Sequence, residues 1–172
     1  VELVDMFRES LNAQVKAMLE GGVRYFYSSW YAHSLSVGWS PQIFREWFLP
    51  MIKEQADLIH SYDGILNYYE DGKCMGIVEM LLEVGVDVLE TCMPPPVGDF
   101  DLAEAKKICK GKMTLMGYVD LIYVLQQGTV ENVRKQVEEA CAIGGKDGCF
   151  ILGTSDSIRE RTPIENIDAY FK

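Results

Sequence analysis

The sequence predicts an α/β fold of parallel strands, on three observations. Five short apolar stretches each end in a polar tip, and a helical pattern follows each one. The units recur at intervals of roughly 20–40 residues, a spacing that suits crossover helices. Nothing between consecutive strands reads as a hairpin turn.

In order, Leu3, Met6, Phe7, Leu11, Val15, Met18 and Leu19 recur at helical spacing, so residues 2–20 read as an amphipathic helix that Gly21-Gly22 ends. Residues 23–27 are β-branched and aromatic and predict a strand, with Ser28-Ser29-Trp30 as its tip. The next ten residues read as a loop. Ser40-Pro41 opens a helix that runs to about Ile59, because Ser can accept from free amides and Pro suits the first turn. Pro50 lies inside it and lacks a backbone donor, which predicts a kink or break.

Ser61-Tyr62-Asp63-Gly64 turns the chain into the second strand, which starts at Ile65 and ends in Tyr69-Glu70-Asp71-Gly72. A helix over 74–84 stops at Gly85, and the strand over 86–89 carries the tip Glu90-Thr91-Cys92. Pro94-Pro95-Pro96 forbids helix directly afterwards. Helix 101–109 leads through Gly111 to a strand over 113–116 with the tip Gly117-Tyr118-Val119-Asp120. Thr129 caps the next helix, closed by Gly144-Gly145, and the strand over 149–152 ends in Gly153-Thr154-Ser155-Asp156-Ser157. Thr162-Pro163-Ile164-Glu165 reads as a capping box that opens the last helix.

A chain of 172 residues with 48% hydrophobic and 24% charged residues can bury one core. Its net charge of −10 argues against nucleic acid and against an anionic membrane as partners. No apolar run approaches the ~18 residues of a membrane span. Five cysteines with no Cys-x-x-Cys pair read as reduced thiols, which points to a cytoplasmic protein. The chain starts at Val1 inside a helical pattern and stops at Lys172 inside another, so it reads as a piece of something longer or as a trimmed chain.

Two architectures hold five β-α units: a doubly wound open sheet, complete at this length, or the last five units of a (β/α)8 barrel. The open sheet predicts a glycine-rich or acidic turn after the first strand, and Ser28-Ser29-Trp30-Tyr31 is neither. The barrel predicts polar groups at every strand exit, and all five exits have them. That favours the barrel.

Chemistry should lie at those exits. Asp71, Glu90, Asp120 and Asp156 are carboxylates that would raise one another's pKa in a partly dry mouth, which suits general acid work. Tyr68, Tyr69, Tyr118, Trp30 and Trp39 could wall a planar or apolar ligand, or simply pack in a core. His33 and Cys92 could reach the mouth, whereas His60 lies at a helix end; no spacing specifies a zinc site. Nucleophile-elbow and phosphate-loop motifs are missing.

Several segments together resemble the uroporphyrinogen decarboxylase superfamily. Ser40-Pro41-Gln42-Ile43-Phe44 with Pro50-Met51-Ile52-Lys53 is similar to its Pro-x-x-Phe…Pro-x-Ile helix. Tyr69-Glu70-Asp71-Gly72 stands at its polar-polar-Gly tip, and Glu83-Val84-Gly85-Val86-Asp87 resembles its Glu-x-Gly-x-Asp turn. Leu115-Met116-Gly117-Tyr118-Val119-Asp120 resembles its Leu-x-Gly-Asn-x-Asp tip with Tyr118 in place of Asn. Gly153-Thr154 and Thr162-Pro163-Ile164-Glu165-Asn166-Ile167 resemble its closing loop and last helix.

The resemblance implies that residues 1–172 form one partial domain, the C-terminal five β-α units of a (β/α)8 barrel. The missing strands would come from an upstream segment, an attached fragment or another copy in a homo-oligomer. It also implies an enzyme of one of two branches. The decarboxylases act on a tetrapyrrole without a cofactor and close with a His where Thr154 or Ser155 stands here. The corrinoid-dependent methyltransferases hold zinc with a His-x-Cys pair where this chain has Tyr69 and Asp71. Zinc is therefore not expected, and a methyltransferase-like enzyme working with a corrinoid protein is the leading expectation. Tetrapyrrole decarboxylation and a non-catalytic corrinoid- or tetrapyrrole-binding protein are the alternatives. On the leading reading Tyr69, Asp71, Glu90, Tyr118 and Asp120 are catalytic, and Ser28, Ser29, Trp30, Thr154 and Ser155 bind a small-molecule substrate.

Overall fold

The computed structural model describes residues 2–29 and 34–172. Strands β1 (Tyr25–Ser29), β2 (Ile65–Tyr69), β3 (Val88–Thr91), β4 (Thr114–Val119) and β5 (Phe150–Thr154) form one sheet. All four pairings are parallel, and the strands lie in the order β1-β2-β3-β4-β5. A doubly wound sheet reverses direction at a switch point, so its strand order is not sequential. This sheet never reverses. It is an arc of a barrel wall.

Single winding puts the helices on one side. They are α1 (Glu2–Glu20), α2 (Pro41–Ile43), α3 (Leu49–His60), α4 (Val78–Glu83), α5 (Leu102–Cys109), α6 (Val130–Gly144) and α7 (Ile164–Phe171). Successive helices touch: α1 packs on α3, α4 on α5, α5 on α6 and α6 on α7. One parity of each strand faces this layer, so Phe26, Leu66, Tyr68, Leu89 and Leu115 are buried with Leu19, Ile52, Ile59 and Leu81 in the main core. The other parity faces the concave side. There Tyr25, Tyr27, Ile65 and Ile151 are exposed.

Helix α1 departs from the sequence reading. Its apolar stripe is at helical spacing, as expected, yet only Val15 and Leu19 are buried, while Leu3, Met6, Phe7 and Met18 are exposed. Phe7 and Leu11 line a hollow of about 220 Å³ with Met51.

Pro50 neither breaks nor ends its helix. Leu49 N donates to Phe44 O across a π turn at Phe44–Phe48, and Pro50 enters α3 in its first turn, where a missing donor costs little. Ser40 accepts from Ile43 N, as the sequence suggested. At Thr129 the capping box closes with Asn132. The box expected at Thr162 does not form, because the N-cap of α7 is Pro163 and Thr162 Oγ1 donates instead to Arg159 O at 2.9 Å.

Except for β2, the strands run about two residues further than the sequence suggests. A polar residue suggests a strand end in sequence, but in a barrel wall one on the concave parity continues the ladder. His60 has the structural place expected of it: its Nε2 lies 2.9 Å from Asp87 Oδ2, which also accepts from Leu66 N at 2.7 Å. The described helices include none long and apolar enough to cross a membrane.

Candidate active site

The strand exits enclose a hollow of about 340 Å³, lined by Tyr27, Tyr69, Glu90, Met116, Asp156 and Phe171 among others. Register explains much of the set. Tyr27 is paired with Asn67, Tyr69 with Glu90 and Glu90 with Met116, so concave-face side chains meet across neighbouring strands. The Tyr27 and Tyr69 rings lie 5.4 Å apart and tilted by 55°.

Its polar centre is Asp156. One carboxylate oxygen, Oδ1, accepts from Tyr69 Oη at 2.9 Å and from Ser157 N at 2.6 Å. The other, Oδ2, faces Arg159 at 3.3 Å. Asp71 stands beside this pair, and its Oδ1 is buried with no partner among the described residues. Burial, and then the nearby Asp156 charge, raises the Asp71 pKa, while Tyr69 and Arg159 pull it back. Burial and the hydrogen bond to Asp156 push the Tyr69 phenol well above its ordinary value, so it stays a protonated donor.

Glu70, between them in sequence, points the other way. It is fully buried and within 3.4 Å of Tyr68 Oη, and burial pushes its pKa up to about 8. The Glu70 carbonyl accepts from Thr91 Oγ1, which ties the β2 exit to the β3 exit. Gly117 continues this row: at φ 126° its α-carbon packs against Thr91 O, and any Cβ there would collide with that carbonyl. Gly153 is less tight, since a Cβ there would lie 3.1 Å from the Gly117 Cα. The contact at Gly117 needs glycine and sets the spacing of the β3 and β4 exits.

The expected site residues divide. Tyr69, Asp71 and Glu90 lie in or beside the hollow, and Asn67 Nδ2 donates to Glu90 Oε2 and holds it at the wall. Thr154 lines the hollow too, with its Oγ1 donating to Asp156 O at 2.6 Å. Ser29 shares the concave parity. Ser28 faces the helix layer instead, where its Oγ donates to Gln55 Oε1 at 3.0 Å. Ser155 is buried, and its Oγ accepts from Leu121 N, so it latches the β5 exit to the segment after β4. Trp30 and His33 lie outside the described residues.

Two expected catalytic residues are placed elsewhere. Asp120 Oδ1 accepts from Ile122 N at 2.7 Å and Tyr123 N at 2.9 Å, so it caps the π turn Leu121–Gln126. Tyr118 has φ 88°, directly after Gly117, and this breaks the strand's alternation. Its ring packs on the main core, and burial together with the charges of Asp101 and Glu139 raises its pKa. Tyr68 is fully buried in that core, and Trp39 packs on Phe48 with ring centroids 5.5 Å apart. Cys92 is buried, and burial keeps its thiol protonated.

Sequence reasoning missed Tyr27, Arg159, Tyr170 and Phe171. A usable signal existed for the first: Tyr25-x-Tyr27-x-Ser29 alternates like Ile65-x-Asn67-x-Tyr69. The described residues include no group of three or more His, Cys, Asp or Glu side chains that could hold a metal.

A methylated-thiol–coenzyme M methyltransferase of Methanosarcina mazei is 26% identical over 133 residues, which are 77% of this chain and 33% of that protein. A solved methyltransferase from Methanosarcina mazei superposes with a TM-score of 0.78 at 21% identity, covering 99% of this chain and 47% of its own. That likeness shows the fold, a partial barrel. The chain thus spans between a third and a half of the length of these relatives. The uroporphyrinogen decarboxylase (URO-D) family matches over residues 1–172, and the chain belongs to that family.

Proposed function

We propose that this chain is the C-terminal part of a methyltransferase-like enzyme, one partial domain over residues 1–172. Its open sheet edges would be closed by an upstream segment or another chain. The observation that carries the functional reading is the lining of the hollow: a protonated Tyr69 hydroxyl, the Asp156 and Asp71 carboxyls beside it, and aromatic faces. A hollow of about 340 Å³ suits a small methyl donor, at the lower end of ordinary ligand pockets. The related methyltransferase from Methanosarcina mazei supports the same reading.

In the reaction the bond between the methyl carbon and its heteroatom breaks, and its electron pair stays on the heteroatom. The acceptor supplies the pair that bonds the methyl carbon. Tyr69 and Asp71 hold and polarise the heteroatom, and protonate it where it would otherwise leave as an anion. Glu90, fixed by Asn67, stands beside Tyr69 on the neighbouring strand. Tyr118 and Asp120 act from behind, by shaping and capping the β4 exit.

Zinc held by thiolate and imidazole does not fit: no Cys or His is among the described residues lining the hollow, and Tyr69 keeps its proton. A corrin ring does not fit inside a hollow of this size either. A corrinoid acceptor would be presented at the mouth by a separate protein. Carboxylates around the hollow also disfavour a polycarboxylate tetrapyrrole.

The test uses the full-length protein with reduced cobalamin and a panel of methylated donors, following methylcobalamin by absorbance. Methyl transfer that falls about a hundredfold in Asp71→Asn supports the reading. Carbon dioxide release from uroporphyrinogen, lost in the same variant, would overturn it.

A further inference from the structure

We infer that the methyl donor this hollow accepts is an organic cation, a quaternary or protonated methylammonium compound. The inference rests on the reading of the hollow as the methyl-transfer site. Four aromatic rings and two carboxylates line it: Tyr27, Tyr69, Tyr170 and Phe171, with Glu90 and Asp156. Tyr27 and Tyr69 meet at 5.4 Å, and Tyr170 and Phe171 meet edge to face at 4.9 Å and 82°.

Ring faces attract a cation through their quadrupole, and rings set around a carboxylate form the arrangement that recognises methylated ammonium groups. Two further observations agree. No lysine or arginine is among the described lining residues, and the nearby guanidinium of Arg159 is engaged by Asp156. The field on Tyr27 is negative, since Glu90, Asp71 and Asp156 all hold its phenol proton more tightly, after burial.

The chemistry agrees as well. An ammonium donor gives up its methyl carbon and leaves as a neutral amine that keeps the bonding electron pair. It therefore needs no thiolate-held metal to activate it, which matches a hollow with no Cys or His among its described lining residues. Once released, the amine can accept a hydrogen bond from Tyr69.

The experiment is calorimetric titration of the full-length protein with choline and with its neutral isostere, 3,3-dimethylbutan-1-ol. Choline should bind at least about tenfold more tightly, and Tyr27→Leu should remove about tenfold of that affinity while Tyr27→Phe keeps it. Glu90→Gln should weaken choline and leave the isostere unchanged. Tyr27 is 55% exposed, so its variants test binding without disturbing the core. Equal binding of the isostere, or tighter binding of the anion 3,3-dimethylbutanoate, would overturn the inference. Methyl transfer from neutral donors without choline binding would do so too, yet leave the methyltransferase reading standing. Choline binding with no transfer from any donor supports the cation site and removes that reading.

Discussion

At the exit of β2 the backbone keeps its alternation, so Tyr69 turns into the hollow and Asp71 follows it. At the exit of β4 two successive residues take positive φ, 126° at Gly117 and 88° at Tyr118, and the alternation is lost. Tyr118 therefore packs on the helix side, and Asp120 bends back to cap the next turn. Both exits carry a tyrosine and an aspartate, spaced by one residue in each case. Residue type brings a group to the mouth of a barrel; backbone conformation decides which side it serves.

The largest effect should come from Gly117→Val, which adds a strained φ and a collision with Thr91 O, together about 4 kcal/mol. Chemical denaturation would show it, and an unchanged midpoint would mean that the β4 exit does not need its glycine. Next is the buried carboxyl behind the β2 exit. Glu70 holds its proton to about pH 8 when folded, against an ordinary value of 4.5. The folded state then binds more protons than the unfolded one between these values, so stability falls as pH rises through that window. The fall should be on the order of 3 kcal/mol. Glu70→Gln should flatten it in denaturant titrations at pH 5 and pH 8. The smallest effect belongs to Asp120→Ala, which removes a cap and should cost about 1 kcal/mol. Asp120→Asn should keep most of the stability, and activity per folded molecule should be unchanged in both; a large loss of activity would return Asp120 to the chemistry.

Much of the fold was legible in the sequence because strand and helix periodicities are local. The α1 stripe, the turns at Gly21, Gly85 and Gly111, and the caps at Ser40 and Thr129 all depend on nearby residues. Strand ends were harder. Ser28-Ser29, Glu90-Thr91 and Gly153-Thr154 read as tips, but they still pair within the sheet: Ser29 and Glu90 sit on the concave parity, while Ser28 and Thr91 bond to Gln55 and to the Glu70 carbonyl. The α1 stripe misled in another way: its period was right, but most of its apolar residues stay exposed among the described residues.

The candidate site was half legible. Tyr69, Asp71 and Glu90 could be found because they sit at strand exits. Tyr118 and Asp120 met the same criterion and failed it in space, since a positive φ at a non-glycine residue leaves little trace in sequence. Arg159, Tyr170 and Phe171 come from the segment after β5 and from α7, and only the folded chain brings them to Tyr27 and Tyr69.

The most direct measurement compares Tyr69→Leu with Tyr118→Leu in the full-length protein, scoring methyl transfer to reduced cobalamin and folding stability in parallel. If the hollow at the β2 exit is the site, Tyr69→Leu lowers kcat/KM at least about a hundredfold, through its lost ring face and hydroxyl, and changes stability little. Tyr118→Leu then lowers stability and leaves kcat/KM per folded molecule within about twofold. A hundredfold loss in Tyr118→Leu, with Tyr69→Leu unaffected, would place the chemistry at the wrong exit and contradict the account.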